Sequence, residues 1–134
     1  MTTTIPLTTA FFAAILGFLG AALTINVILS RVRTGVDAGD GGVATLAQAI
    51  RAHANFIEQA PLALLILAAA ELSGVRLLVV ELLGTGLIIA RLSSAYALNR
   101  SLGQTPLRQF GGGASVLLLV VASIATLLAL GGIR

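Results

Sequence analysis

The chain reads as an all-α integral membrane protein, a four-helix bundle, and three observations carry that reading. Of its 134 residues, 57% are hydrophobic and 10% charged, with a mean hydropathy of +1.05, far from the composition of a soluble domain. Apolar windows approaching the roughly 20 residues that cross a bilayer recur four times, at about residues 8–29, 59–72, 75–90 and 111–130. The two middle windows are short alone and become long enough only if their polar flanks, 48–58 and 91–98, are helical too. One domain over 1–134 follows, with helices at roughly 5–31, 45–73, 75–99 and 107–132.

Helix one carries Gly17, Gly20, Ala13, Ala21 and Ala22, small residues that let membrane helices approach closely. The start "MTTTIPLTTA" has no Arg or Lys and so lacks the positive region of a cleaved signal peptide. The loop "RVRTGVDAGDGG" is the longest polar stretch, and its Asp and Gly residues are turn formers. It has no GK[ST] motif, and its two carboxylates would repel a phosphate. Helix two opens with polar residues and passes without a break into "PLALLILAAAEL". The tight connection "ELSGVR" makes helices two and three antiparallel neighbours. "NRSLGQTP" links three to four and places Pro106 to start helix four, where a missing N–H costs nothing. "GGGAS" marks close packing or a loosened entry to that helix.

All eight basic residues are arginines. Arg31, Arg33 and Arg51 surround the first loop, Arg100 and Arg108 the third, while the second has only Arg76. The positive-inside rule then predicts loops one and three cytoplasmic and both termini outside, with Arg134 in dissent. The setting is a membrane, with lipid as a partner. The charge of +3 is explained by this topology and not by nucleic acid. With no Cys and one His, a cysteine nucleophile, a disulfide scaffold and a zinc site of HExxH type are excluded, and no GxSxG is present.

Chemistry concentrates at the start of helix two. At about 100° per residue, Gln48, Arg51, Asn55, Glu58 and Leu62 share one stripe about 80° wide. His53 projects to nearly the opposite side. Charged groups in a membrane helix must face protein or water and find partners. Two uses remain open at this level: a ligand site, or a clamp between helices in which Glu58 pairs with Arg91 of helix three.

"DGG", "IRAHANFIEQAPLALLILAAAEL" and "ARLSSAYALNRS" resemble the MAPEG family, the membrane-associated proteins in eicosanoid and glutathione metabolism, and its bacterial branch above all. The resemblance implies a homotrimer of four-helix subunits in a bacterial inner (cell) membrane, with glutathione bound between neighbours near the cytosolic face. Arg51, Asn55 and Glu58 match glutathione-binding positions, with Gln48 on the same stripe. Arg31 matches an arginine at the mouth of the site, and Arg91 an interior arginine that orients Glu58. Arg100 or Arg108 stands where an arginine stabilises the glutathione thiolate. Gln59 and Ser94 depart from the aromatic residues of many members. The implied function is a glutathione-dependent transferase or peroxidase acting on apolar electrophiles or lipid hydroperoxides. The alternative is a non-enzymatic membrane protein holding a lipid or an acidic small molecule at the same site through Arg51 and Arg91. An exporter would place a glutamate in helix one, which has none.

Overall fold

The computed structural model describes residues 5–132. It contains four helices, α1 (Leu7–Thr34), α2 (Ala44–Leu72), α3 (Leu77–Arg100) and α4 (Pro106–Leu130), each long and apolar enough to cross a membrane. Arg134 lies outside the described residues.

The helix ends follow local chemistry. α1 runs past the expected residue 31 to Thr34, because Arg31 and Arg33 sit favourably in its last turn against the negative end of the helix dipole. It stops at Gly35, whose left-handed φ of 68° directs its N–H to the Arg31 carbonyl. α3 begins at Leu77 and not 75, since Val75 and Arg76 are used in the turn after Gly74. Pro106 is the first residue of α4, and the Thr105 hydroxyl caps the helix by accepting from the Arg108 N–H.

Among the described residues, the N-terminus of α1 has no cap from its own neighbourhood. Glu71, in the last turn of α2, supplies one. Its carboxylate accepts from the Thr8 N–H at 2.9 Å, the Thr9 N–H at 2.7 Å and the Thr9 hydroxyl at 2.7 Å. All three are charge-assisted bonds, and the two backbone donors are helix-start N–H groups without an intrahelical partner.

α2 and α3 form the centre. α1 packs on both, α4 packs on both, and among the described residues α1 and α4 do not meet. One apolar cluster holds Leu16, Leu23, Phe56, Leu87 and Leu98, and a second holds Phe12, Leu67, Val80, Leu83 and Ala122. Two glycines set the spacing. A Cβ on Gly20 would lie 2.9 Å from the Phe56 ring, and one on Gly84 would enter the Phe12 ring. Gly17 has no such neighbour within its own chain. Large apolar side chains such as Phe18, Leu65, Leu82 and Leu117 cover the outside, as a bilayer requires.

Glu71→Ala is expected to lower stability by about 1–3 kcal/mol through the lost cap. Unfolding in a titration of denaturing detergent checks this, and Glu71→Gln, which keeps acceptor capacity, is expected to recover part of the loss.

Candidate functional site

The most buried large polar side chain belongs to Arg91 of α3, which is 1% exposed. A guanidinium has five N–H donors and no acceptor, and at this depth each must find a protein partner. One terminal nitrogen donates to the Asn55 side-chain oxygen at 3.1 Å and, at 3.4 Å, to the Asn55 carbonyl. The other donates to the Ser94 hydroxyl at 3.3 Å, the Gly111 carbonyl at 2.9 Å and the Ser115 hydroxyl. Nε is buried without a partner among the described residues. The charge is therefore held by neutral acceptors from α2, α3 and α4. The expected Arg91–Glu58 pair does not form.

Gly111 makes this geometry possible. A Cβ there would lie 2.8 Å from the Ala90 carbonyl and collide with Ser94 Oγ, so only glycine lets α4 come close enough to aim its carbonyl at Arg91. Ser115, one turn further on, donates to that same carbonyl at 2.8 Å. Gly112 and Gly113 meet nothing within 4 Å. The "GGGAS" segment thus divides into one packing glycine and two open ones.

Glu58 instead pairs with Arg51 on its own helix, seven residues back, with guanidinium-to-carboxylate distances of 3.1 and 3.4 Å. The pair shows that the stripe is co-facial. Its side chains are 43% and 52% exposed, so it adds under about 1 kcal/mol to stability. It points out of the bundle. On one side it opens into a groove of about 380 Å³ that Arg51 shares with Arg31, Gly39 and Asp40. On the other, Glu58 borders a cavity of about 90 Å³ between α2 and α4, with Gln59 and Ser115. Pro61 follows within α2 and offers no N–H to the Ile57 carbonyl, which loosens the helix beside the pair.

The remaining candidates are dispersed. Arg31 donates to the Val36 and Gly39 carbonyls at 3.1 and 3.0 Å, holding the first loop beside the groove. Gln48 donates to the Arg100 carbonyl at 3.4 Å, tying α2 to the end of α3. The Arg100 guanidinium lies 4.6 Å from the centre of the Tyr96 ring, a cation–π contact. Arg108 donates to the Leu102 and Gly103 carbonyls at 2.6 and 3.1 Å and borders a separate groove with Gln104 and Gly112. Arg31 shares a groove with Arg51, which pairs with Glu58; Arg100 and Arg108 border neither that groove nor the cavity beside Glu58.

Gly111 and Ser115 were not among the residues singled out from the sequence as polar contributors. Their spacing of four places both on one face of α4, and that is the signal that could have marked them.

Arg91→Ala is expected to cost at least about 3 kcal/mol, from the cavity and from acceptors left unpaired. Arg51→Ala should cost under about 1 kcal/mol. Detergent-denaturation midpoints of the two variants, side by side, check the contrast.

Comparison with known proteins agrees in kind. A family profile described as "MAPEG family" matches residues 9–128. "Inner membrane protein YecN" of Escherichia coli (strain K12) is 30% identical over 118 residues, which cover 86% of this chain and 88% of that protein. The protein of the same name from Escherichia coli O6:H1 gives the same figures.

Proposed function

The chain belongs to the MAPEG family, which includes glutathione-dependent enzymes, and we propose that it is a membrane-embedded glutathione transferase or peroxidase acting on apolar electrophiles or lipid hydroperoxides. The observation that carries this reading is the outward-facing Arg51–Glu58 pair. A guanidinium and a carboxylate side by side match the carboxylate and ammonium of an amino-acid-like ligand. Binding exchanges one intrahelical pair for two intermolecular ones. Arg51 takes the carboxylate, in the bidentate manner open to a guanidinium, and Glu58 takes the ammonium. Asn55, fixed by Arg91, lies on the same stripe and keeps its amide nitrogen free to donate.

Glutathione would supply the thiol nucleophile. With a reference pKa of about 8.5 a thiol is largely protonated near neutrality, and a cation beside it lowers that value. Arg31 lines the groove with Arg51. Arg100 and Arg108 sit at the same end of the bundle and are the candidates for holding the thiolate. An exposed ion pair on a membrane helix calls for cover, and a homotrimer with the site between subunits provides it. An apolar substrate reaches such a site directly from the bilayer.

Ser94 supports a second reading, a non-catalytic lipid or acid-binding protein, because its hydroxyl is turned to Arg91 and brings no aromatic or phenolic surface to a ligand. Arg91 itself is buried, so an acidic ligand would engage Arg51. Native mass spectrometry showing a retained lipid and no glutathione adduct would favour this second reading.

Titration calorimetry of the detergent-solubilised protein with glutathione under reducing conditions is the direct test. Wild type is expected to bind, and Arg51→Ala and Glu58→Ala are each expected to lose at least about tenfold in affinity while remaining folded. A folded wild type that does not bind glutathione would overturn the proposal.

The excess of arginines at the end formed by the first and third loops supports a cytoplasmic placement of that end and of the site. Because the chain has no cysteine, single introduced cysteines report sidedness without background. In intact cells an impermeant maleimide is expected to label Ser73→Cys and to spare Asp37→Cys; the reverse pattern would place the site outside.

A further inference from the structure

Glu81 stands one turn past the start of α3, and among the described residues it has no ion-pair partner, Arg51–Glu58 being the one salt bridge there. Arg76 precedes it by five positions, which at about 100° per residue turns the two side chains about 140° apart. Both are exposed. With 24 residues, α3 is about 36 Å long, about 6 Å more than the hydrocarbon thickness of about 30 Å. A centred span leaves about 3 Å of helix outside at each end, and Glu81, about 6 Å along from Leu77, falls just inside the hydrocarbon edge. A carboxylate at that level calls for a cation.

Glu81 opens onto a groove of about 490 Å³ between the starts of α1 and α3, with Leu7, Thr8, Phe11, Phe12 and Thr85 as the other walls. Thr85 follows Glu81 by four positions, so one face of α3 supplies both groups. Across the groove α1 supplies two rings. Phe12 is buried against Gly84, where a Cβ would enter its ring. Phe11 meets Phe12 edge to face, with ring centres 5.5 Å apart and planes at 72°, and is itself exposed. Gly84 thereby seats a pair of rings beside the carboxylate.

Charge and coordination set what fits. The one charged group lining the groove is anionic, so an anion is repelled. A hard metal cation takes about six oxygen ligands, and among the described residues no three of His, Cys, Asp and Glu gather to hold one. An organic ammonium needs one carboxylate for its charge and its N–H donors, apolar walls for its body, and gains from an aromatic ring beside the nitrogen. The ammonium of a glycerophospholipid is attached beyond its phosphate, and bringing it down to Glu81 would draw the phosphate into hydrocarbon, at high cost. An amine attached directly to its apolar body meets no such obstacle.

We propose that this groove is a binding site for an apolar organic ammonium, whose N–H groups donate to the Glu81 carboxylate and whose body lies against Leu7 and Phe11. It lies at the opposite end of α1 from Arg31, and none of Arg31, Arg51 and Glu58 lines it. The site therefore goes beyond the glutathione reading and does not depend on it.

The test uses two probes with one body, 1-naphthylmethylammonium, which is cationic, and 1-naphthylmethanol, which is neutral. With no Trp and one Tyr in the chain, naphthalene emission is readable over the protein, and its anisotropy follows binding to the full-length protein in an uncharged detergent at neutral pH without glutathione. Wild type is expected to bind the ammonium at least about fivefold more tightly than the alcohol, the worth of a charge-assisted bond at a partly wet edge. Glu81→Gln, close in shape and without the charge, is expected to bind the two equally. Thr85→Phe, which fills the groove and keeps the carboxylate, is expected to weaken the ammonium at least about fivefold, and it serves as the test if Glu81→Gln does not fold. Equal binding of the two probes to wild type, binding of neither, a preference that survives in Glu81→Gln, or an ammonium affinity unchanged in Thr85→Phe overturns the proposal. Added phosphatidylethanolamine is expected to leave the bound ammonium in place; displacement by it and not by phosphatidylcholine would give the groove to a lipid headgroup and overturn the assignment. Since glutathione is absent throughout, the result stands apart from the calorimetry.

Discussion

A guanidinium placed in the middle of a membrane bundle without a carboxylate is the constraint from which the site follows. Arg91 stays charged, and taking it out of water is costly unless its donors are met. The bundle meets those of the two terminal nitrogens with a side chain and a carbonyl from Asn55, hydroxyls from Ser94 and Ser115, and the Gly111 carbonyl, and leaves Nε without a partner among the described residues. Each acceptor comes at a structural condition. The Gly111 carbonyl is in reach only because residue 111 has no side chain. Asn55 is held from inside the bundle, which fixes the rotation of α2 about its axis and so turns Arg51 and Glu58 outward.

The site therefore has two layers with different energetics. The inner layer is a neutral-acceptor cage around a charge, and its loss is felt as stability. The outer layer is a solvent- or partner-facing ion pair whose own strength is slight. A weak pair is a useful resting state for a binding site, because little is given up when a ligand separates it. Had Glu58 paired with Arg91, its carboxylate would have been committed to the interior and withdrawn from ligands.

What the sequence made legible was whatever lies along one helix. Four apolar runs gave four helices. The stripe of Gln48, Arg51, Asn55 and Glu58 was visible because its spacing is a property of α2 alone, and the Arg51–Glu58 pair is its direct expression. What was not legible depends on how helices cross. The partners of Arg91 follow from the approach of α4 to α3 at Gly111, and nothing local to "ARL" shows that a glycine twenty residues away supplies an acceptor. The expected pairing with Glu58 failed for the same reason: opposite charges were matched, while the structure matched donors to neutral oxygens. Helix ends shifted by two or three residues where arginines extended the last turn of α1 and a turn delayed the first turn of α3.

The Glu71 cap carries a consequence for how the protein is made. Thr8 and Thr9 begin the first span, and the carboxylate that completes that span's N-terminus is more than sixty residues later, at the end of the second. During synthesis the first span must enter the bilayer with those backbone N–H groups met by water at the interface. It gains its protein cap only when the second span has crossed and returned to the same side. The two spans then lock as a hairpin at their shared end, and the order of synthesis becomes an order of assembly in which the second helix closes the first.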